Sequence, residues 1–472
     1  MIAKDTFEKE WSAEEVAQML EEHRAFYDTD RTRSYKFRIR RLDKLKAAIQ
    51  RYEPALLEAL QADLGKPAFE AYSTEIGFVL NSISEISKEL YRWSKPQRVA
   101  TPLALAGASS FVINEPHGTV LIVGPFNYPF QLVLEPLVGA IATGNCAVIK
   151  MSDSTPNVSR VVKQLIGDVF EEHYVRVLDG GKDTVTALIN SPFDYIFFTG
   201  STEVGRIVGE AAAKQLIPYT LELGGKSPAI VDKQADIRMA AKRIVWGKLV
   251  NAGQTCIAPD YVLVHESKKI QLLIALKNAI REFLGEDIQN SPDFGRIVNE
   301  RHFDRLNEIL EKDKDSIVFG GSRDRGNKFI EPTLLDIDSW DAASMQEELF
   351  GPILPVLTYE DIEEAIRLVN KHPRPLSLYL FTTDEQVQDR VLEKIPFGGG
   401  CINDTLLHVS NTNLPFGGTG PSGTGSYHGV HSLRTFSHQK SILKRASAES
   451  GTTLIFPPYG EEQMALIKKM LK

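Results

Sequence analysis

The amino-acid sequence predicts an α/β protein of two or three domains. After residue 119, short apolar runs alternate with segments of helical periodicity, the pattern of a parallel sheet covered by helices on both faces. The chain has 472 residues, more than a single small core requires. Hydrophobic residues make up 43% of it and charged residues 25%. These are ordinary fractions for globular proteins, so we expect folded domains rather than disorder.

The order of the predicted elements supports this class. Residues 11–90 carry apolar side chains at three- and four-residue spacing and are predicted to be helical, with a break at Gly65-Lys-Pro67. Residues 111–123 are predicted to form a strand, a turn and a second strand. The later strands are predicted at residues 120–123, 147–149, 175–178, 195–198, 229–231, 261–264 and 355–357, and helices at 158–170, 184–190 and 270–284.

Charge and hydropathy exclude several kinds of partner. The chain has 62 acidic residues against 54 Lys and Arg, a formal net charge of −8, which disfavours general attraction to nucleic acid or anionic lipid. The basic stretch from Arg31 to Arg41 has helical periodicity, and we interpret it as a solvated helix face rather than a nucleic-acid patch. The N-terminus carries acids where a signal peptide would be apolar, and residues 461–472 have the pattern of a short amphipathic helix. We therefore expect no membrane anchor.

The cysteines indicate a reducing environment and one candidate nucleophile. Cys146, Cys256 and Cys401 are too few and too scattered for a disulfide framework or a zinc cage. We expect no metal site and a cytoplasmic location. Cys146 lies beside an apolar run and Cys401 follows three glycines, so both fit small buried hydrophobes. Cys256 ends the polar turn Gly253-Gln-Thr-Cys256, which would leave a thiol accessible, although most lone cysteines are buried.

Two further polar side chains are candidates for catalytic roles. Glu222 lies between two leucines and before a Gly-Gly turn, and apolar neighbours should raise its pKa towards that of a general base. The alternative is a surface-strand glutamate that faces water. Asn127 lies in the proline-bracketed loop Pro125-Phe-Asn-Tyr-Pro129, where its amide could serve as a fixed donor to an oxyanion. The alternative is a turn asparagine that bonds only its own backbone.

A candidate anion site follows the strand predicted at residues 195–198. Gly200 and Ser201 form a turn into a helix that includes Gly205, where backbone N–H groups, a serine cap and the helix dipole favour a pyrophosphate. The turn lacks Gly-x-Gly-x-x-Gly, and a βα turn without a ligand is the alternative. Lys150 closes another strand at the sheet edge where α/β proteins bind ligands, and with Asp153 it could bond ribose hydroxyls. A solvated strand-end lysine is the alternative.

Seven segments of the sequence, taken together, resemble the motifs of a known family, although no single one of them is specific. In order they are Pro125-Phe-Asn127, Lys150, Phe198-Thr-Gly-Ser201 with Gly205, Glu222-Leu-Gly-Gly-Lys226, Gly253-Gln-Thr-Cys256, Glu348-Leu-Phe-Gly-Pro352 and Pro415-Phe-Gly-Gly418. Together they resemble the successive motifs of the aldehyde dehydrogenase superfamily, and the Glu222–Cys256 spacing, 256 − 222 = 34 residues, matches the family's usual interval. The chain length and the segments Asn403-Asp-Thr405, Ser426-Tyr-His-Gly429 and Pro457-Pro-Tyr459 look most like the class 3 branch, which includes oxidisers of fatty and aromatic aldehydes.

The resemblance implies a domain organisation. A Rossmann-type cofactor domain is expected in residues 1–108 and 120–223, and a second α/β catalytic domain in residues 224–421. A small β element that bridges the subunits of a homodimer, together with a C-terminal tail, is expected in residues 109–119 and 422–472. The predicted hairpin at residues 111–123 is similar to part of that bridge.

The resemblance also implies an activity, the NAD(P)-dependent oxidation of medium-chain aliphatic or aromatic aldehydes to carboxylic acids. Cys256 would attack the aldehyde, Asn127 and the Cys256 backbone N–H would hold the oxyanion, and Glu222 would activate water against the thioester. The residues expected to bind NAD or NADP are Pro125, Phe126, Lys150, Asp153, Gly200, Ser201, Gly205, Glu348 and Phe350. Of these, Glu348 and Phe350 would position the nicotinamide ribose and ring.

Two positions depart from the commoner family pattern. Met151 stands where many relatives have proline, and Asp153 stands where glutamate is frequent. The shorter carboxylate of Asp153 would reach ribose hydroxyls less well and would repel a 2′-phosphate from farther away. We therefore expect NADP to be accepted beside NAD.

Two other functions are weighed against this one. A CoA-acylating aldehyde dehydrogenase transfers the acyl group to CoA instead of water, but such enzymes generally lack the acid of the Glu-Leu-Gly-Gly motif, and Glu222 is present. A non-catalytic member retained as a binding or structural protein would be expected to lose its nucleophile, and Cys256 is present.

Overall fold

The computed structural model describes residues 9–445 and 456–470 and has the predicted α/β architecture. The first strands in chain order are β1 (Gln97–Val99), β2 (Ala108–Pro116), β3 (Thr119–Val123), β4 (Cys146–Lys150), β5 (Val175–Leu178), β6 (Tyr195–Thr199), β7 (Tyr219–Glu222), β8 (Pro228–Val231) and β9 (Tyr261–His265). They continue with β10 (Ile317–Phe319), β11 (Arg323–Asp324), β12 (Phe329–Ile330), β13 (Thr333–Asp336), β14 (Ile353–Tyr359), β15 (Ser377–Phe381), β16 (Gly399–Ile402), β17 (Gly423–Thr424) and β18 (Ser437–Arg445).

A six-stranded sheet has the order β17-β7-β6-β3-β4-β5, in which β3 to β7 are parallel and only the short β17 is antiparallel. Every residue of β3, β4 and β6 is buried, which explains why these strands appear in the sequence as unbroken apolar runs. The strand order reverses between β3 and β6. Ligands of open α/β sheets bind beyond the carboxyl ends of the strands at such a reversal.

A seven-stranded sheet holds the second half of the chain, in the order β10-β13-β14-β9-β8-β15-β16. All of its neighbours are parallel except β10 and β13. The turn that precedes β9 and the loop that precedes β14 carry Cys256 and Glu348 respectively. A separate two-stranded ladder joins β11 to β12.

The predicted hairpin at residues 111–123 is wrong, although both of its strands exist. β2 pairs with β1 and β18 in a three-stranded antiparallel sheet, whereas β3 lies in the middle of the six-stranded sheet. Burial explains the separation, because β3 is buried on both faces while β2 is half-buried along its length. β17, which lies beyond the predicted boundary at residue 421, adds to the six-stranded sheet through β7.

The helices cover the two large sheets and begin and end close to their predicted positions. The helix Tyr35–Leu64 ends at Gly65, whose φ of 63° is a left-handed conformation that glycine adopts without strain. The others are Ala13–Tyr27, Ala68–Ala71, Gly77–Trp93, Gln131–Thr143, Pro156–Val169, Lys182–Ile189, Thr202–Lys214, Ile237–Leu249, Lys269–Leu284, Glu300–Lys312, Ala343–Gln346, Ile362–Asn370, Glu385–Lys394, Gly429–Thr435 and Glu461–Met470, and a π-helical turn spans Tyr72–Ile76.

The basic stretch between Arg31 and Arg41 is only in part the solvated face that was predicted. Arg31, Arg33 and Arg40 are exposed. Arg38 is buried and donates 2.7 Å to the carbonyl oxygen of Ala142, near the end of the helix Gln131–Thr143.

The predicted amphipathic tail forms the helix Glu461–Met470, and residues 471–472 lie outside the described residues. The N-terminal segment for which no signal peptide was expected lies outside them as far as residue 8. Across residues 9–445 and 456–470, no helix is both long enough and apolar enough to cross a membrane.

Candidate active site

The candidate nucleophile, Cys256, follows a strained turn ahead of β9. Asn251 and Ala252 both have positive φ, 54° and 52°, and Gly253 follows at 77°. Such angles are uncommon in residues other than glycine, and strained backbone positions cluster at functional sites. A Cβ on Gly253 would lie 2.3 Å from the carbonyl oxygen of Gly351, so the turn requires glycine there.

The three cysteines differ in accessibility. Cys146 is fully buried as predicted, and burial raises the pKa of its thiol to about 12. Cys401 is half-buried against the core, with its Sγ 3.5 Å from Nδ1 of His408, so it is only in part the buried residue that was predicted. Cys256 is half-buried and lines a cavity. The sequence-based distinction between Cys256 and Cys146 is therefore confirmed.

The cavity beside Cys256 has a volume of about 230 Å³ and also contains the side chain of Glu222. Cys256 and Glu222 lie at its buried end, whereas Ser73, Trp246 and Leu407 are exposed and mark the open end. Among the described residues that line it there is no lysine or arginine, and Glu222 is the one carboxylate. The lining residues are Ser73, Thr74, Phe78, Tyr128, Gln131, Leu132, Thr199, Glu222, Trp246, Val250, Thr255, Cys256, Ile257, Leu406, Leu407, Val409, Ser410, Phe416 and Tyr427.

Glu222, the last residue of β7, is only 2% exposed. Neither of its carboxylate oxygens has a hydrogen-bond partner in the described structure, which is unusual for a buried carboxyl group. Burial raises its pKa well above the ordinary value, as the flanking leucines predicted. The alternative of a water-facing surface glutamate is therefore wrong, and the group is suited to accept a proton.

The thiol of Cys256 is held in its neutral form by its surroundings. Burial raises its pKa above the ordinary value, and the nearby carboxylates of Glu348 and Glu222 raise it further. Backbone N–H groups of Cys256 and Ile257 act in the opposite direction. Formation of a thiolate therefore needs a proton acceptor or a positive charge beside the sulfur.

Asn127 is buried in the loop that joins β3 to the helix Gln131–Thr143. Its Nδ2 donates 3.0 Å to the backbone oxygen of Gln254, two residues before Cys256. Its own carbonyl oxygen accepts from Lys66 Nζ at 3.1 Å and from Asn251 Nδ2 at 2.7 Å. The amide thus bonds the nucleophile turn across 127 residues of chain, so the alternative of a locally bonded turn asparagine is wrong. Asn127 is not among the described residues that line the cavity.

The Gly200-Ser201 turn lies beyond β6, at the reversal of strand order. Ser201 caps the helix Thr202–Lys214 by accepting 3.3 Å from the N–H of Val204. A Cβ on Gly205 would lie 2.5 Å from Leu223, so this glycine lets the helix pack closely against the sheet. Helix start, cap and close packing together make the turn suitable for a phosphate group.

Lys150 ends β4 on the same edge of the sheet. It is only 4% exposed, and its Nζ donates 2.5 Å to the carbonyl oxygen of Met151. The alternative of a solvated lysine is therefore wrong. Burial lowers its pKa, while Asp153 and Asp179 raise it, which places both carboxylates near the ammonium group.

Glu348 and Phe350 approach the site from the loop before β14. The carboxylate of Glu348 accepts a hydrogen bond from the N–H of Gly225, and burial raises its pKa to about 8. A Cβ on Gly224 would lie 2.1 Å from Glu348 Oε2, so the Gly-Gly turn makes room for this side chain. The ring of Phe350 meets that of Phe126 edge-on, with the centroids 5.7 Å apart.

Several suitable residues were not identified from the sequence. Thr199 lines the cavity beside Glu222 with a buried hydroxyl that has no partner in the described structure. Val204 and Ile207 are 39% and 55% exposed on the helix that Ser201 caps, an apolar surface next to the predicted phosphate site. Thr199 could have been identified because it is adjacent to Gly200 in the predicted phosphate turn. No sequence pattern distinguishes an exposed Val204 from a buried one.

The residues at this edge fit a dinucleotide. The buried side-chain oxygens of Thr199 and Glu222 have no hydrogen-bond partner in the described structure and can bond a polar ligand. The first N–H groups of the helix that Ser201 caps are suited to bind phosphates. Lys150 lies on one side of the strand reversal, Glu348 lies near Cys256, and Phe350 packs against Phe126.

Comparison with known proteins agrees with this geometry. Residues 8–442 match the family model described as the aldehyde dehydrogenase family. The chain is 54% identical over 445 residues to the 4,4'-diaponeurosporen-aldehyde dehydrogenase of Staphylococcus aureus, covering 94% of this chain and 96% of that protein. It is 41% identical over 450 residues to aldehyde dehydrogenase family 3 member A2 of Rattus norvegicus, covering 95% and 92%. A solved structure described as the substrate-bound state of Staphylococcus aureus AldH has a TM-score of 0.95 and 53% identity, covering 97% of this chain and 99% of that chain.

Proposed function

The chain belongs to the aldehyde dehydrogenase family, and from this premise we propose that it oxidises apolar aldehydes to carboxylic acids through a thioester on Cys256. It is an NAD(P)-dependent oxidoreductase that acts on aldehydes, and it is similar to members of the class 3 branch. The observation that carries the proposal is that Cys256 and Glu222 share the buried end of one largely apolar cavity.

In the proposed first step the Cys256 thiol loses its proton to solvent, and the thiolate attacks the aldehyde carbon. The C–S bond forms, and the carbonyl electron pair moves onto oxygen. Asn127 and the backbone N–H of Cys256 hold this oxyanion; an amide nitrogen has two N–H groups, and Gln254 occupies one of those of Asn127. When bound, oxidised NAD(P) supplies a positive charge and the hydride acceptor for the oxidation of the thiohemiacetal to the thioester.

The proposed second step is hydrolysis of the thioester. Glu222 accepts a proton from water, the resulting hydroxide adds to the acyl carbon, and the C–S bond breaks to release the acid and the Cys256 thiolate. A carboxylate with a raised pKa is a stronger base than an ordinary glutamate, so the burial of Glu222 favours this role. Water rather than CoA is therefore the proposed acyl acceptor, and formation of acyl-CoA faster than free acid in a direct product assay would contradict it.

For the cofactor, we propose that Gly200, Ser201 and Gly205 form the pyrophosphate site, with Lys150 and Asp153 at the adenosine ribose. Glu348 and Phe350, with Pro125 and Phe126 opposite, line the nicotinamide side. Val204 and Ile207 add exposed apolar surface on which an adenine ring can pack.

We expect the enzyme to use NADP as well as NAD. Asp153 is exposed, and its carboxylate is one methylene shorter than glutamate, so it opposes a 2′-phosphate only weakly. The ratio of kcat/KM for NAD to that for NADP should be well below roughly 1000, which corresponds to about 4 kcal/mol. Asp153→Glu should raise the ratio, and fluorescence titration with NADH and NADPH should show the same change in binding. A ratio above roughly 1000 in the parent enzyme would contradict the expectation.

The cavity favours medium-chain aliphatic or aromatic aldehydes, and one close relative is named for another aldehyde, 4,4'-diaponeurosporen-aldehyde. Each buried CH₂ contributes about 0.8 kcal/mol, so kcat/KM should rise about fourfold per CH₂ until the chain fills the cavity. An ω-carboxylated aldehyde of equal length should be poorer by roughly 100-fold, since the described lining offers it no cation.

A kinetic panel over chain length measures this dependence. Trp246→Ala, at the open end of the cavity, should weaken the discrimination among the longest chains, whereas Trp11→Ala near the N-terminus should not. A flat profile across chain length would contradict an apolar substrate.

We further propose a homodimer in which the three-stranded sheet β1-β2-β18 is the bridging element. Val99 and Leu443 on this sheet are each 50% exposed and supply apolar surface that a partner subunit would cover. We propose that residues 1–108 and 120–223 form the cofactor domain. Residues 224–421 form the proposed catalytic domain. The three unpaired cysteines support a reducing, cytoplasmic environment.

A further inference from the structure

We propose that Lys66 and Glu75, a buried ion pair behind Asn127, are positioning residues that keep the oxyanion donor aligned with the nucleophile turn. The inference rests on the proposed function, because it takes Asn127 to be the oxyanion donor. Neither residue belongs to the motifs that identify the family, and neither lines the cavity as described.

The ion pair is completely enclosed. Lys66 and Glu75 are both 0% exposed, and Nζ lies 2.5 Å from Oε1. Desolvation makes such a pair a weak source of stability compared with apolar side chains of similar size. Stability alone therefore does not account for a buried ion pair at this position. The hydrogen bonds of the pair indicate a different role.

Glu75 holds one end of the Asn127 loop. It comes from the π-helical turn Tyr72–Ile76, a rare conformation that is often found at functional sites. Its second oxygen accepts from the N–H groups of Phe130 at 2.9 Å and Gln131 at 3.2 Å. These amides begin the helix Gln131–Thr143, so the carboxylate fixes the point at which the loop ends.

Lys66 holds the middle of the same loop. Its Nζ donates 3.1 Å to the backbone oxygen of Asn127 and lies 4.1 Å from the centroid of the Tyr128 ring. The hydroxyl of Tyr128 is in turn 2.8 Å from Oγ1 of Thr255, the neighbour of Cys256. One ammonium group thus contacts both residues that join the loop to the nucleophile turn.

Asn251, in the nucleophile turn, also bonds the Asn127 loop. Its Nδ2 donates to the backbone oxygens of Asn127 and Gln254, and the Gln254 oxygen also accepts from the Asn127 amide. Glu70 accepts 2.8 Å from the N–H of Asn251 and so holds the left-handed turn. The Asn127 backbone oxygen is therefore held by both Lys66 and Asn251, and removing Lys66 would leave it with the Asn251 contact alone.

The test compares the parent enzyme with Lys66→Met/Glu75→Gln, which removes both charges together and keeps an acceptor for the helix amides. Small displacements of catalytic groups cost roughly 100-fold in rate, so kcat should fall by about that factor, while KM and the Kd for NADH change less than about threefold. Alkylation of Cys256 by iodoacetamide develops no oxyanion, so its rate should also stay within about threefold of the parent rate. An unchanged kcat, or an equal loss in alkylation, would overturn the proposal.

Arg38→Met supplies a matched control, because Arg38 is another buried cation that bonds the helix Gln131–Thr143, at its far end. It should lower Tm but leave kcat within about threefold of the parent value. A comparable loss of kcat in this variant would mean that loosening the helix anywhere has the same effect, which would also overturn the proposal.

Asn127→Ala separates the inference from its premise. It should lower kcat by roughly 100- to 1000-fold, and the triple variant should be no slower than Asn127→Ala by more than about threefold, because the pair acts through Asn127. If Asn127→Ala has the parent kcat, the oxyanion assignment fails. If it is impaired but the pair variant is not, or if the two losses multiply, the positioning proposal alone fails.

Discussion

Cys256→Ala is expected to abolish aldehyde oxidation, with kcat lower by on the order of 10⁵-fold, the scale of losing a covalent nucleophile. Without sulfur no thiohemiacetal forms, and neither Glu222 nor Asn127 has a covalent intermediate to act on. NADH absorbance with an apolar aldehyde measures the loss. Titration with NADH should show binding within about threefold of the parent Kd, because the small substitution leaves the dinucleotide groups in place.

Cys146→Ala and Cys401→Ala are the matched controls. Cys146 is fully buried with a raised thiol pKa, and Cys401 lies beside His408. Both variants should keep the parent kcat when folded, although Cys146→Ala should lower Tm by removing a core side chain. Equal rates in Cys256→Ala and the parent enzyme would remove Cys256 from the chemistry.

Much of the fold follows from the sequence because buried parallel strands leave a strong signal. β3, β4 and β6 are buried at every position and appear in the sequence as continuous apolar runs bounded by turns. Which strands pair with one another is harder to predict from the sequence. β2 and β3 are separated by only a short turn, which suggested a hairpin, yet β2 pairs with β18 from the far end of the chain. Local sequence carries no information about a partner more than 300 residues away.

The site was predictable where backbone conformation restricts the residue type. Gly253, Gly205 and Gly224 stand where a Cβ would collide with Gly351, Leu223 and Glu348, so these glycines are recognisable as motifs. The groups that we propose to position Asn127 were not predictable in the same way. The ion pair of Lys66 and Glu75 depends on a π-helical turn and on burial from several elements, and no spacing in the sequence distinguishes it from a surface i, i+9 pair.

The two reactive groups are linked through their electrostatics. Burial raises the pKa of both the Cys256 thiol and the Glu222 carboxyl, and the charge of Glu222 raises the pKa of the thiol further. As the pH rises, both groups approach their charged forms, so activity should increase with pH through and above neutrality.

Glu222→Gln is expected to separate the two halves of the reaction. The amide cannot accept a proton from water, so deacylation and kcat should fall by roughly 10²- to 10⁴-fold, while the first hydride transfer remains. Stopped-flow absorbance should then record a rapid burst of NADH equal to the active-site concentration, followed by slow turnover, and the trapped thioester should be detectable by mass spectrometry.

The pH profile of the same variant tests the assignment independently. In the parent enzyme, falling pH protonates Glu222 and slows deacylation, and because its pKa is raised this loss begins at a higher pH than for an ordinary glutamate. Glu222→Gln should lack this acidic limb in kcat. Glu135→Gln is the matched control, because Glu135 is also fully buried, with a pKa raised to about 7, but lies outside the described lining of the cavity. It should keep both the limb and the parent kcat. A Glu222→Gln enzyme that shows no burst, or keeps the acidic limb, would assign the proton acceptor in hydrolysis to a different group.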